Sequence, residues 1–446
     1  MRILILAATL AVFPLTAVAQ TAAPSPSPSV RAMAAGYKAL TVCSALKTAE
    51  AAGGTRTLAS VEANELVGIY SELDGLVREM AVEIGQRQVS VSWDEAMPPR
   101  VALYAPGRGC AIQPVGWTGE SPGMFLPGVR ENAPLGAGAP GGNAAGLDPA
   151  VAGAFRGRYG EGTNTTAVVV LQGERLVAES YSAGFGVDTP QRTWSVGKSL
   201  AGTIIGAAVQ RGEVDVDAPA AIANWQVDGD PRRVITLDQL MRMASGLTSD
   251  TAGNRTDALY FGGTTVDEQV PGWPLIALPG TRYRYANNDI LLAVMAIAPG
   301  FDRHPPADLF RQLGMYDTWA ETDWRGNYML SSQVWSTARD LARFGQLYLN
   351  DGVQDGQRIL PEGWLAHVSE PSGPQPEGDF GYGATFWLMN RSDGVPVDTI
   401  AAFGNRGQYV VIVPGRDVVI VRRGEDPAGN RFDIAAFTRD VLAALD

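Results

Sequence analysis

Two β-hairpin signatures, far apart in the chain, constrain this sequence more than any other feature. "TTAVVVLQGERLVAESY" (165–181) carries two strand-like runs about Gln172-Gly173, and "QYVVIVPGRDVVIVRRG" (408–424) carries two more about Pro414-Gly415-Arg416-Asp417. Between them the pattern is mainly helical: Thr236 and Gln239 in "TLDQLMRMASGL" form a capping-box pattern, with Gly246 as its stop. After the second hairpin, Phe432, Ile434, Ala435, Val441, Leu442 and Leu445 are spaced as one face of a terminal amphipathic helix. The order hairpin, helical insertion, hairpin, helix predicts an α+β fold, an antiparallel sheet flanked by terminal helices with a helical lobe inserted.

Within that frame one residue is out of character. Of the 35 basic residues only Lys38, Lys47 and Lys198 are lysine, and from Thr48 to Asp446 Lys198 stands alone. Arginine supplies charge as well as lysine does, but it does not deprotonate in proteins, whereas a desolvated lysine can become a neutral base. Ser195 stands three residues before Lys198, and the run after it ("SLAGTIIGAAVQRG") repeats apolar positions at Leu200, Ile204, Ile205 and Val209 before Gly212. On a helix that starts at Ser195, the two side chains share a face, and the serine sits where the helix dipole and free N–H groups favour negative charge. S-x-x-K alone is a weak signal: Ser44 and Lys47 in "CSALK" are a second copy, which reads as a decoy because it lacks partner segments.

Those partners exist for Ser195. "PGTRYRYANNDILLAVM" carries Tyr285 and Asn287 as Y-x-N; a tyrosine beside an ammonium is expected to have a depressed pKa and to shuttle protons. In "AAFGNRGQYVVIVPG", Gly404 and Gly407 permit close backbone approach, so that an amide there and that of Ser195 would form an oxyanion hole.

The remaining features bound the setting. The net charge of −12, without a basic run, argues against nucleic acid as a partner. Met1-Arg2, the apolar run Ile3–Leu15 and Ala17-Val18-Ala19 read as a signal peptide over 1–19, giving a periplasmic or secreted protein with no membrane span after cleavage. Export and an even count make Cys43 and Cys110 an expected disulfide. With two Cys and with His304 and His367 as the only histidines, no metal site is assembled. Residues 20–130, with a helix-like "SVEANELVGIYSELDGLVREMAVEI" and a strand-like "RQVSVSW", read as a small N-terminal domain. Residues 131–148 are a Gly/Ala/Pro-rich linker and 149–446 the main domain.

Together Ser195-x-x-Lys198, Tyr285-x-Asn287 and the third segment resemble the beta-lactamase-related serine hydrolases: class C beta-lactamases, D-alanyl-D-alanine carboxypeptidases, esterases and 6-aminohexanoate-dimer hydrolases. The resemblance extends over about Pro149 to Asp446 and includes "ITLDQLMRMASGL", "LFRQLGMYDT" and "STARDLARFGQLYLNDGVQDGQRILPEGW". It implies Ser195 as nucleophile, Lys198 and Tyr285 as the proton-transfer pair, Asn287 as an accessory polar group and the Asn405 amide as the second oxyanion donor, with no cofactor. Where the beta-lactamases carry Lys-Thr-Gly this chain has Ala402-Phe403-Gly404, followed by Asn405-Arg406-Gly407-Gln408. That departure suggests a small ester or amide as substrate rather than a beta-lactam, with Phe403 either facing the acyl group or packing under the sheet, Gly404 and Gln408 nearby and Arg406 as the one candidate cation. Three rival readings are a beta-lactamase or D-alanyl-D-alanine carboxypeptidase acting on beta-lactams or cell-wall peptides, a Ser-His-Asp hydrolase built on Gly119–Gly123, whose Pro122 follows Ser121, and a penicillin-binding-like sensor module that keeps the fold without turnover.

Overall fold

The structure, a computed structural model, describes residues 26–120, 146–248, 256–371 and 373–445. The expected signal peptide, Ser121 and residues 131–145 of the expected linker lie outside the described residues.

The two hairpins meet in the middle of one sheet. Strand Thr165–Gln172 pairs with its hairpin partner Arg175–Tyr181 on one side and with Val418–Gly424 on the other. The sheet continues through Gln408–Val413, Ile400–Gly404, Trp387–Leu388 and Gly381–Tyr382, seven strands in which every pairing is antiparallel. Continuous apolar runs are needed at its centre because both faces are covered. Ala167, Val169 and Leu171 point into a core shared with the helices Val196–Gln210 and Ala338–Leu349. Val168 and Val170 point into a second core closed by the helices Asp148–Phe155 and Ile434–Ala444. The capping box at Thr236 is formed, starting the short helix Leu237–Met241, and the order read from the sequence is therefore realised as α+β layers.

The N-terminal region differs from its expectation. The stretch read as one helix breaks into Leu58–Ala63, Ser71–Glu79 and the strand Val82–Ile84. The dominant element is instead the helix Pro28–Ala51, buried on nearly every side and so lacking the apolar stripe that would have announced it. It packs on a four-stranded antiparallel sheet (82–84, 88–91, 100–105, 109–112) and is joined to it by a disulfide between Cys43 and Cys110. The buried side chains of this region run continuously into the larger core rather than forming one of their own. It sits as a layer on the hydrolase body. Among the described residues no helix is long and apolar enough to cross a membrane.

Candidate active site

A two-residue strand, Gln191–Arg192, pairs with Val334–Ser336, and the Thr193 amide extends the pairing to the Val334 carbonyl at 2.8 Å. The chain then turns sharply: Trp194 adopts a left-handed φ of 51°, and its ring is held by the Arg192 guanidinium 3.8 Å from the centroid. Bulky residues seldom occupy that region, and one that does must be held there by its surroundings. The turn places Ser195 as the N-cap of the buried helix Val196–Gln210.

One helical turn on, Lys198 is 1 % exposed, and its Nζ lies 2.8 Å from Ser195 Oγ, 2.6 Å from Asn287 Oδ1 and 2.8 Å from the Ser331 carbonyl. Burial, reinforced by the Arg192 charge, lowers its pKa to about 7. Nζ donates to all three oxygens as an ammonium; once it loses a proton, its two remaining N–H groups can stay on the two carbonyl acceptors and the lone pair can take the Ser195 proton. One partner of Lys198 and one of Asn287 were invisible to motif reading. Ser331 acts through its backbone, and Thr256, whose Oγ1 accepts from Asn287 Nδ2 at 3.3 Å, belongs to no motif.

Tyr285 closes the other side of the serine. Its hydroxyl is hydrogen-bonded to Ser195 and to Trp387, and its ring lies 5.0 Å from Lys198 Nζ. Its pKa is not depressed, as the sequence suggested, but pushed up to about 12 by burial, against which the Ser195 and Trp387 hydrogen bonds act. Trp387, missed by motif reading, lies tilted against Tyr285 (5.2 Å between ring centroids) and stacks on Phe403 (5.6 Å).

The third segment ends beside the serine turn. A Cβ on Gly404 would come 2.3 Å from the Thr193 carbonyl, so only glycine lets the end of strand Ile400–Gly404 approach this closely. The serine turn and the end of this strand are thereby brought together, and with them the Ser195 and Asn405 amides that the resemblance makes the candidate oxyanion donors. The rest of the segment corrects the expectation. Phe403 pairs in register with Tyr409 and packs with Tyr409 and Phe380 against the core closed by the terminal helices, separated from Tyr285 by the Trp387 ring. Gln408 is fully buried, its amide donating to the Arg406 and Gly424 carbonyls and its Oε1 accepting from Arg423 at 2.6 Å. Arg406 is 5 % exposed and paired with Glu425 at 2.8 Å, so it offers no cation to a substrate. The second S-x-x-K is likewise turned to other uses: Ser44 donates to Glu321 at 2.7 Å, and Lys47 pairs with Glu50.

A family model described as Beta-lactamase matches residues 151–445. The chain is 27% identical over 312 residues to the 6-aminohexanoate-dimer hydrolase of Paenarthrobacter ureafaciens, covering 60% of this chain and 74% of that one. A solved structure from Bacillus anthracis assigned as a 6-aminohexanoate-dimer hydrolase superposes with a TM-score of 0.53 at 24% identity, covering 63% of this chain and 79% of that one. One from Bacteroides dorei assigned as a beta-lactamase gives 0.53 at 20%, covering 63% and 91%. At these identities the structural likenesses show the fold.

Proposed function

The chain belongs to the beta-lactamase family and is a serine hydrolase, and on that premise we propose that it cleaves small esters or amides through an acyl-serine intermediate at Ser195, as an exported enzyme. The observation that carries this reading is the Lys198 ammonium-or-amine group, buried to 1 % exposure and 2.8 Å from Ser195 Oγ with its pKa at about 7.

In this mechanism neutral Lys198 accepts the Ser195 proton as Oγ bonds to the substrate carbonyl carbon. The carbonyl oxygen becomes an oxyanion, received by the Ser195 and Asn405 amides. Tyr285, kept protonated by its high pKa and bonded to Ser195, donates its proton to the departing alkoxide or amine and recovers one from Lys198. The leaving group departs and the acyl-serine remains. Water then attacks the ester carbonyl, the same groups take its proton in reverse order, and the acid is released with Ser195 restored.

The site surroundings support a neutral substrate. Ala402 and Gly404 stand where the beta-lactamases of the family carry lysine and glycine of Lys-Thr-Gly, and Arg406 is committed to Glu425. A substrate carboxylate therefore lacks a cation on this strand, while an ester or uncharged amide loses little. The relative's printed name, 6-aminohexanoate-dimer hydrolase, supports amide cleavage but not the neutral preference, because an aminohexanoate dimer keeps a terminal carboxylate. Steady-state kinetics tests it: short-chain p-nitrophenyl esters and uncharged amides are expected to be turned over with higher kcat/KM than cephalosporins, and intact-mass analysis with a fluorophosphonate should place the adduct on Ser195 alone. Faster cephalosporin turnover, or an adduct on Ser44, defeats the proposal.

A further inference from the structure

The N-terminal layer lies outside the family match, which begins at residue 151, yet it grips the site at two places. At the first, buried Arg100 donates to the Phe261 and Gly262 carbonyls, each at 3.1 Å, and to the Ala32 carbonyl at 2.8 Å. This fixes the segment carrying Tyr260, whose hydroxyl lies 2.5 Å from Ser331 Oγ, beside the carbonyl that receives Lys198.

The second grip is on the turn that presents the Asn405 amide. Arg406, the next residue, has a left-handed φ of 58°, a conformation that a side-chain-bearing residue keeps only where its surroundings hold it. The holding groups are specific. Arg406 Nε donates to Glu425 at 2.8 Å, Nη1 to the Gly68 carbonyl at 3.0 Å and Nη2 to the Asn64 carbonyl at 2.7 Å. A planar fork fixed at three points on two distant segments has little freedom to rotate, and its backbone carries that constraint to its neighbour. The charge is neutralised by Glu425, and so the two N-terminal carbonyls act as orientation rather than as ion-pair partners.

We propose that Arg406 is a positioning residue for the oxyanion turn and that the N-terminal layer is its anchor: the Asn64 and Gly68 carbonyls hold the guanidinium, and through it the Asn405 amide, in place for the developing oxyanion. This rests on the acyl-serine reading above. It assigns the N-terminal layer a part in turnover, beyond that of a cover.

Both sides of the anchor can be moved separately in the full chain. Arg406→Ala removes the fork. Gly68→Ala displaces the accepting segment, because a Cβ there would come 2.7 Å from Pro427 Cβ. Gly53→Ala is the control, since Gly53 shares a positive φ (84°) but has nothing within 4 Å of such a Cβ. The expected result is a loss of kcat on the order of 10-fold or more for Arg406→Ala and Gly68→Ala on an ester substrate, with KM little changed and the pH midpoint set by Lys198 unmoved. Gly53→Ala should match wild type, and added guanidinium, but not urea, should restore part of the kcat of Arg406→Ala. Should Arg406→Ala not fold, Arg406→Lys, which keeps the charge and loses the fork, takes its place with the same expected loss. A folded Arg406 variant with wild-type kcat, or a loss of activity that tracks only a fall in folded fraction and is not rescued, overturns the proposal. Wild type is assayed in parallel: its failure to acylate Ser195 would instead strike the acyl-serine reading.

Discussion

A lysine that is 1 % exposed and donates to two carbonyls sets the pH behaviour of the site. With its pKa lowered to about 7, Lys198 is protonated and unable to accept the serine proton below that pH, and neutral above it. Activity should therefore rise with pH through a midpoint near 7. Tyr285, pushed up to about 12, stays protonated throughout, so no falling limb is expected below pH 10; kcat/KM for an ester against pH measures both, and a bell with a basic limb near 9 would reject the assignment of the tyrosine. Lys198→Arg keeps the charge and removes the base, and kcat/KM should drop by about 10² or more. The lysine was legible in the sequence because every other basic residue from Thr48 to Asp446 is arginine. Its carbonyl partner was not, since the Ser331 backbone oxygen leaves no trace in side-chain identity.

At the scale of elements, the strand Ile400–Gly404 divides its labour by alternation. Ala402 faces the nucleophile helix, Phe403 faces the terminal helices, and Gly404 meets the Thr193 carbonyl. Phe403→Ala should therefore cost stability, up to about 3 kcal/mol from the lost burial of a partly exposed ring, read as a lowered Tm, and leave KM for the ester unchanged. Gly404→Ala should do the opposite kind of damage. Its Cβ would wedge the strand from the serine turn and lower kcat on the order of 10-fold or more, since sub-ångström misplacement of donors is enough to slow acyl transfer; circular dichroism should show the sheet intact. Ile400 to Gly404 is apolar throughout and carries no alternation that marks its faces, so the face that meets the serine follows from register with the neighbouring strands, a tertiary fact.

Across the whole molecule, the N-terminal layer and the hydrolase body share one core, with Glu321 accepting from Ser44 and from the Cys110 amide at 2.7 and 2.8 Å. A single cooperative unfolding transition is expected, with loss of activity and of near-ultraviolet circular dichroism coinciding in a denaturant titration. The disulfide closes a loop of sequence separation 67, and breaking it should lower stability by about 4 kcal/mol if the constraint acts on the unfolded chain. By itself the sequence determined the hairpin-insertion-hairpin frame and singled out Ser195, Lys198, Tyr285 and Asn287, and it offered the two cysteines as a pair whose bridging only their approach in space decided. These are written in local periodicity, in residue chemistry or in a count. Only the tertiary structure decided that Arg406, Gln408 and Phe403 serve the scaffold rather than the substrate, and that the helix Pro28–Ala51 leads a layer bound to the site. A guanidinium, an amide or a ring carries the same chemistry wherever it stands; which groups meet it depends on segments hundreds of residues away, and no local pattern records their approach.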